Sequence, residues 1–87
     1  MTAEEFNKKY EDYIEPRFED QGLMIDSPKA IEFLDEVFGQ ILIHVPGFTY
    51  SQIKMKFGMS RIYMNKIPSS LSYWMEGVVD KMYTDGV

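Results

Sequence analysis

The chain has 87 residues, 45% hydrophobic and 15% aromatic, with fourteen acids against nine Lys and Arg for a net charge of −5. This excludes a disordered chain and fits one small domain over 1–87, whose modest core would gain from a partner or from self-association into a homo-oligomer. The absence of cysteine excludes disulfides and zinc–thiolate sites and fits a cytoplasmic location. With no apolar run near about 20 residues and an acidic start, MTAEEF, neither a membrane span nor a secretion leader is expected.

Thr2 followed by Glu5 reads as a capping box, and Phe6, Tyr10, Tyr13 and Ile14 follow at helical spacing. Glu4 and Glu5 suit the positive end of that helix, and Pro16 should stop or kink it at Glu15. Phe18 is expected to pack before a turn at Gly22. Ser27-Pro28 opens a second helix, with Ser27 as cap and Pro28 at the first helical position. Its buried face is Ile31, Leu34, Val37, Phe38, Ile41 and Leu42, with Gly39 marking a close crossing. Pro46-Gly47 ends it. Pro68-Ser69-Ser70 starts a last helix carrying Leu71, Trp74, Met75, Val78, Val79, Met82 and Tyr83, with Gly86 where a C-terminal glycine cap belongs.

Between the last two helices, Phe48–Phe57 and Ser60–Lys66 read as the strands of a β-hairpin with Gly58-Met59 as a type II′ turn. That turn sets Phe57 opposite Ser60, Lys56 opposite Arg61, Met55 opposite Ile62, Lys54 opposite Tyr63, Ile53 opposite Met64 and Gln52 opposite Asn65. Alternation then sorts Ile53, Met55, Phe57, Ile62 and Met64 onto one face, and Gln52, Lys54, Lys56, Arg61, Tyr63 and Asn65 onto the other. The expected fold is α+β, helix–helix–β-hairpin–helix, with one two-stranded antiparallel sheet. A lone hairpin is unstable in water, so its apolar face must lie on the second and third helices.

Charge is uneven along this order. Met1–Gly47 has four cations and eleven acids, −7; Phe48–Ile67 has four cations and no acid, +4; Pro68–Val87 is −2. Non-specific nucleic-acid binding, which runs on positive surface, is not expected. A local anion site is compatible with it. Lys54, Lys56, Arg61 and Tyr63 offer point charges, a bidentate fork and an aromatic ring on one patch, with Gln52 beside them. Like charges opposed across strands disfavour a hairpin unless an anion joins them. Three readings stay open: a ligand or partner site, an internal neutralisation by Glu11, Glu15 or Glu19, and a solvated cationic edge that resists aggregation.

Other residues read more plainly. His44, the single histidine, suits the negative end of the second helix. The acids of the first helix lie around its circumference, as on a solvated face. Most of the seven methionines read as adaptable core, but Met59 at the turn tip reads as an interface anchor. Tyr73 and Trp74 read as core or interface packing. No nucleophile–base pair, paired acids, phosphate loop or metal-ligand spacing is visible, so the chain reads as no enzyme, with no cofactor and no metal.

The run Gln52-Ile53-Lys54-Met55-Lys56-Phe57-Gly58 with Arg61 and Tyr63 resembles a motif of small uncharacterised phage and bacterial proteins, Q-I-K-E-K-F-G-G-L-R-F-Y. Met55, Met59, Ser60 and Ile62 depart from it, and the paired-cysteine segment of some relatives is absent, so no zinc is carried over. The resemblance implies a phage or prophage setting and action in the host cytoplasm by binding. The expected function is inhibition of a host defence protein through the hairpin surface, at Gln52, Lys54, Lys56, Met59, Arg61 and Tyr63. The alternatives are sequestration of an anionic nucleotide messenger on the same basic face and a structural phage component.

Overall fold

The computed structural model describes residues 1–15 and 22–84. Helix α1 (Ala3–Lys9) begins at the expected capping box: the Thr2 side chain accepts from the Glu5 N–H, and Glu5 accepts from the Thr2 N–H. That main-chain bond, reinforced by the Thr2 hydroxyl, holds the Glu5 carboxyl below its usual range. The helix ends well before Pro16. Residues Glu11–Tyr13 form a single 3₁₀ turn, and Ile14 is already extended, bridged in parallel to Tyr50. Tertiary contacts override the helical spacing here: the Tyr13 ring stacks on Phe48 at 5.9 Å, and Glu15 N–H donates to the Tyr50 carbonyl at 2.8 Å.

Helix α2 (Pro28–His44) is capped by Ser27, whose Oγ accepts from Ala30 N–H, and has Pro28 in its first turn. Helix α3 spans Ser69–Thr84; the expected glycine cap, Gly86, and Phe18 lie outside the described residues. Gly39 was expected at a close crossing, but it is exposed, and a Cβ there would meet nothing within 4 Å.

The sheet has three strands, not two. Strand β1 (Gly22–Met24) pairs in parallel with β2 (Thr49–Lys56), which pairs antiparallel with β3 (Met59–Asn65). The turn expected at Gly22 is instead the start of β1. Gly22 holds φ +96, and a Cβ there would stand 2.7 Å from Asn7 Oδ1. Only glycine meets both conditions without strain.

Both outer edges of this sheet are sealed by helix side chains. Asn7 of α1 pairs with Leu23 as a strand would: its Oδ1 accepts from Leu23 N–H at 2.7 Å and its Nδ2 donates to Leu23 O at 3.1 Å. At the other edge, Asp80 accepts from Ser60 N–H at 2.6 Å and Glu76 accepts from Ile62 N–H at 2.8 Å. Residues 76 and 80 lie one turn apart on α3, matching the two-residue step of outward N–H groups along β3. Ser60 Oγ also donates to the Glu76 carbonyl at 3.0 Å. An unpaired strand edge is a template for aggregation, and these carboxylates and amide occupy it.

The core lies on one face of the sheet, where Leu23, Ile53 and Ile62 form one row. Phe38 of α2 is its centre, with the rings of Phe6, Tyr10, Phe48 and Tyr50 at 5.0–5.2 Å. Met75 and Val79 of α3 complete it. The expected helix faces are largely correct: Phe6, Tyr10, Ile31, Leu34, Phe38, Ile41, Met75 and Val79 are buried. Trp74 and Tyr73 are not core; both are mostly exposed. A break in register at Ser51 brings Tyr50 to the core side opposite Met64. Strict alternation from Ile53 would have turned Tyr50 outward.

Candidate partner-binding surface

The hairpin turns at Phe57-Gly58, not Gly58-Met59. Both residues have positive φ, +54 and +77, the signature of a type I′ turn. Relative to the expected pairing, β3 slides by two residues: Lys54 faces Arg61, Lys56 faces Met59, Met55 faces Ser60, Ile53 faces Ile62 and Gln52 faces Tyr63. A slip of two preserves the side on which each residue stands, so the separation into faces survives although each partner changed. The physical reason lies outside the hairpin. β2 is fixed by β1 on its other side, with Leu23 beside Ile53, and β3 is fixed by the bonds of Ser60 and Ile62 to α3.

The outer face therefore carries all six expected site residues. One row is Met24–Lys54–Arg61, the next is Gly22–Gln52–Tyr63, and Lys56–Met59 closes the hairpin. Lys54, Arg61 and Gln52 are half-buried, while Lys56, Met59 and Tyr63 are exposed. Asn65, expected on this face opposite Gln52, sits opposite Thr49.

Two members were not foreseen. Phe57, assigned to the apolar face, is 90% exposed at the turn, with Lys56 Nζ 5.7 Å from its ring centroid. No local sequence signal marks it, because a bulky aromatic is a poor occupant of a positive-φ position. Met24 is half-exposed beside Lys54, and it became visible only with β1. Together with Met59, 51% exposed, Phe57 makes the hairpin tip an apolar knob on a cationic stem.

Of the acids expected as internal partners, Glu11 and Glu15 are engaged elsewhere. Glu11 pairs with Lys8 at 3.5 Å, and the Glu15 carboxylate accepts from the Asn65 amide. Glu19 lies outside the described residues. Among the described residues, no carboxylate lies within ion-pair distance of Lys54, Lys56 or Arg61. The hollow beside Tyr63 is lined by Glu15 and Glu76 with Ser51, Asn65 and Tyr73, and among the described residues no cation lines it.

A second cluster of titratable groups joins α1 to α2. Tyr10 donates to Asp35 Oδ1 at 2.5 Å, and Lys9 Nζ stands 2.8 Å from the same oxygen. Burial, then the bond to Asp35, pushes the Tyr10 hydroxyl pKa well above its usual value. Burial works against the Asp35 charge, yet the bonds from Lys9 and Tyr10 hold its carboxyl below the usual range. With Lys9 and Tyr10 both bonded to Asp35, this cluster reads as a structural tie. His44 lies in the last turn of α2, as expected, and is exposed. Among the described residues, no group of His, Asp or Glu side chains is placed to hold a metal ion, and no helix is long and apolar enough to cross a membrane.

No protein-family model matches the chain, and no curated protein or solved structure matches it either.

Proposed function

We propose that this chain is a small binding protein that docks its β2–β3 hairpin onto another protein. The observation that carries this reading is Phe57: a bulky side chain held at φ +54 and almost wholly in water. A positive φ costs a non-glycine residue about 1–2 kcal/mol, and exposing a Phe forgoes its burial. Within the described chain the Phe57 ring is met by the Lys56 ammonium and buries against no apolar side chain. Both features become useful where the ring enters a partner's pocket. Aromatic, Met and Arg side chains are the types enriched at the centres of protein interfaces. Lys54, Lys56 and Arg61 behind the tip then select a partner whose pocket is rimmed by acids.

The motif resemblance of the hairpin supports a phage setting, and inhibition of a host defence protein in the host cytoplasm is the role we assign. The test is capture of a bacterial lysate on the immobilised chain. One host protein should be retained by the wild type and released when Phe57 is replaced by Asn. Retention by both would remove the tip from the interaction.

A second reading, sequestration of an anionic nucleotide, is favoured by the Lys54–Arg61 rung that no described acid neutralises. It predicts a large thermal shift with a nucleotide, by binding linkage, that disappears in Arg61→Ala.

A further inference from the structure

We propose that the groove between α2 and α3 receives the hairpin tip of a second copy of this chain, so that the protein assembles head to tail. The inference rests on the reading above that Phe57 is a docking anchor.

The groove has a volume of about 520 Å³, within the usual range for a bound small group. Val37 and Ile41 form one wall, Leu71 and Trp74 the other, and Ile67-Pro68 close the end. The Phe33 ring meets Trp74 edge-on at 5.5 Å, and about half of Trp74 remains exposed. It exists because α2 carries two apolar columns. Ile31, Leu34, Phe38 and Ile41 enter the core, while Phe33 and Val37 lie a quarter turn away and are only partly covered.

The molecule thus presents an apolar knob and an apolar slot, and it cannot join them internally. β3 runs seven residues from the tip to Asn65, and Ile67-Pro68 just beyond already line the slot. At about 3.3 Å per residue, tip and slot are roughly 20 Å apart, at opposite ends of the hairpin. Any insertion is therefore between molecules. Because knob and slot are different surfaces, the contact is heterologous and generates a ring or an open chain.

Charge points to a second copy as the occupant. The tip belongs to the +4 segment, which has no acid, and α2 carries Glu32, Asp35 and Glu36 against Lys29, a net of −2. Glu36 stands at the rim of the slot, and Lys56 adjoins Phe57 on the knob. The two surfaces are matched in polarity and in sign.

The experiment is sedimentation velocity over a range of protein concentrations. The tip variant is Phe57→Asn, which leaves the slot intact. The slot variants are Glu36→Lys, an exposed charge reversal that leaves the fold alone, and Trp74→Glu. The wild type should associate with rising concentration, and each variant alone should associate at least tenfold more weakly. An equimolar mixture of Phe57→Asn with Trp74→Glu retains one knob and one slot, so it should form a heterodimer and stop at two. A wild type that is monomeric throughout, yet captures a host protein through Phe57, overturns the inference and leaves the binding reading standing. So does a monomeric wild type whose capture is lost in Trp74→Glu, since a foreign chain then fills the slot. Self-association unchanged in the slot variants, or a mixture that fails to pair, also overturns it. If Phe57→Asn alters neither self-association nor capture, the anchor reading itself fails.

Discussion

Lys54 and Arg61 face each other across β2 and β3, two cations in one rung of the sheet. Like charges directly opposed disfavour a strand pair by a few tenths to about 1 kcal/mol. Lys54→Glu should therefore raise the thermal midpoint of the isolated protein. Added salt, which screens repulsion between exposed charges, should stabilise the wild type more than the variant. The same substitution should weaken partner capture. Thermal melts across a salt series check it, and a variant that melts lower than the wild type at low salt contradicts it.

Asn7 and Gly22 should behave as one unit. Asn7→Ala removes both bonds to Leu23 and leaves its main chain unpaired at a partly buried edge, a loss of about 2 kcal/mol. Gly22→Ala adds a strained φ to a Cβ set against Asn7 Oδ1, about 1–3 kcal/mol. In the double variant the Cβ no longer meets the amide, so the combined loss should fall short of additive by at least about 0.5 kcal/mol. Urea titrations of the four proteins give the answer, and simple additivity would mean that the two positions do not share this contact.

The seal on β3 predicts an aggregation phenotype. Asp80→Ala and Glu76→Ala each orphan one strand N–H, at about 1–3 kcal/mol, although Ala is the better helix former. The double variant should show light scattering that grows with concentration, because the freed edge can pair with another molecule. A clear, fully stable double variant would show that the carboxylates contribute nothing to the edge.

Stability should decline at both ends of the pH scale for identifiable reasons. The Asp35 carboxyl is held below its unfolded value of about 4, working against burial, by Lys9 and Tyr10. Its contribution is present above that pH and is lost as the pH falls through the folded value. Tyr10 and Tyr50 are raised by burial, so their contribution is complete below an unfolded value of about 10 and declines as the pH rises past it. Asp35→Asn should flatten the acid limb of a plot of melting temperature against pH. Tyr50→Phe should flatten the alkaline limb while losing the bond to Asn7 at 3.2 Å. Limbs as steep as those of the wild type would contradict these assignments.

The caps and periodic stripes were legible because they are local: Thr2 with Glu5, Ser27-Pro28, and the apolar faces of α2 and α3, Trp74 excepted, lie where the spacing puts them. The sidedness of Lys54, Lys56, Arg61, Tyr63 and Gln52 was also legible, since parity survives a slip of two residues; Met59, read as part of the turn, joins their face because the turn lies one residue earlier. What was not legible depends on distant partners. Gly22-Leu23-Met24 is too short to show alternation, and it becomes a strand only through β2, thirty residues further on. The end of α1 at Lys9 follows from Tyr13 on Phe48 and Ile14 beside Tyr50. Turn chemistry alone favoured Gly58-Met59; the chain turns one residue earlier because β1 and α3 hold the strands in another register, which puts Phe57 into an unfavourable conformation.

That conformation is the centre of the account, and Phe57→Asn tests it most directly. Asn-Gly is the preferred pair for a type I′ turn. The substitution should stabilise the fold by about 1 kcal/mol, a rise of about 4–8 °C in melting temperature for a domain of this size. The same change removes the anchor and should weaken partner capture by about 2 kcal/mol or more, roughly thirtyfold. A more stable protein that no longer binds is the predicted result; a variant that melts lower than the wild type, or one that is stabilised and binds as before, would contradict it.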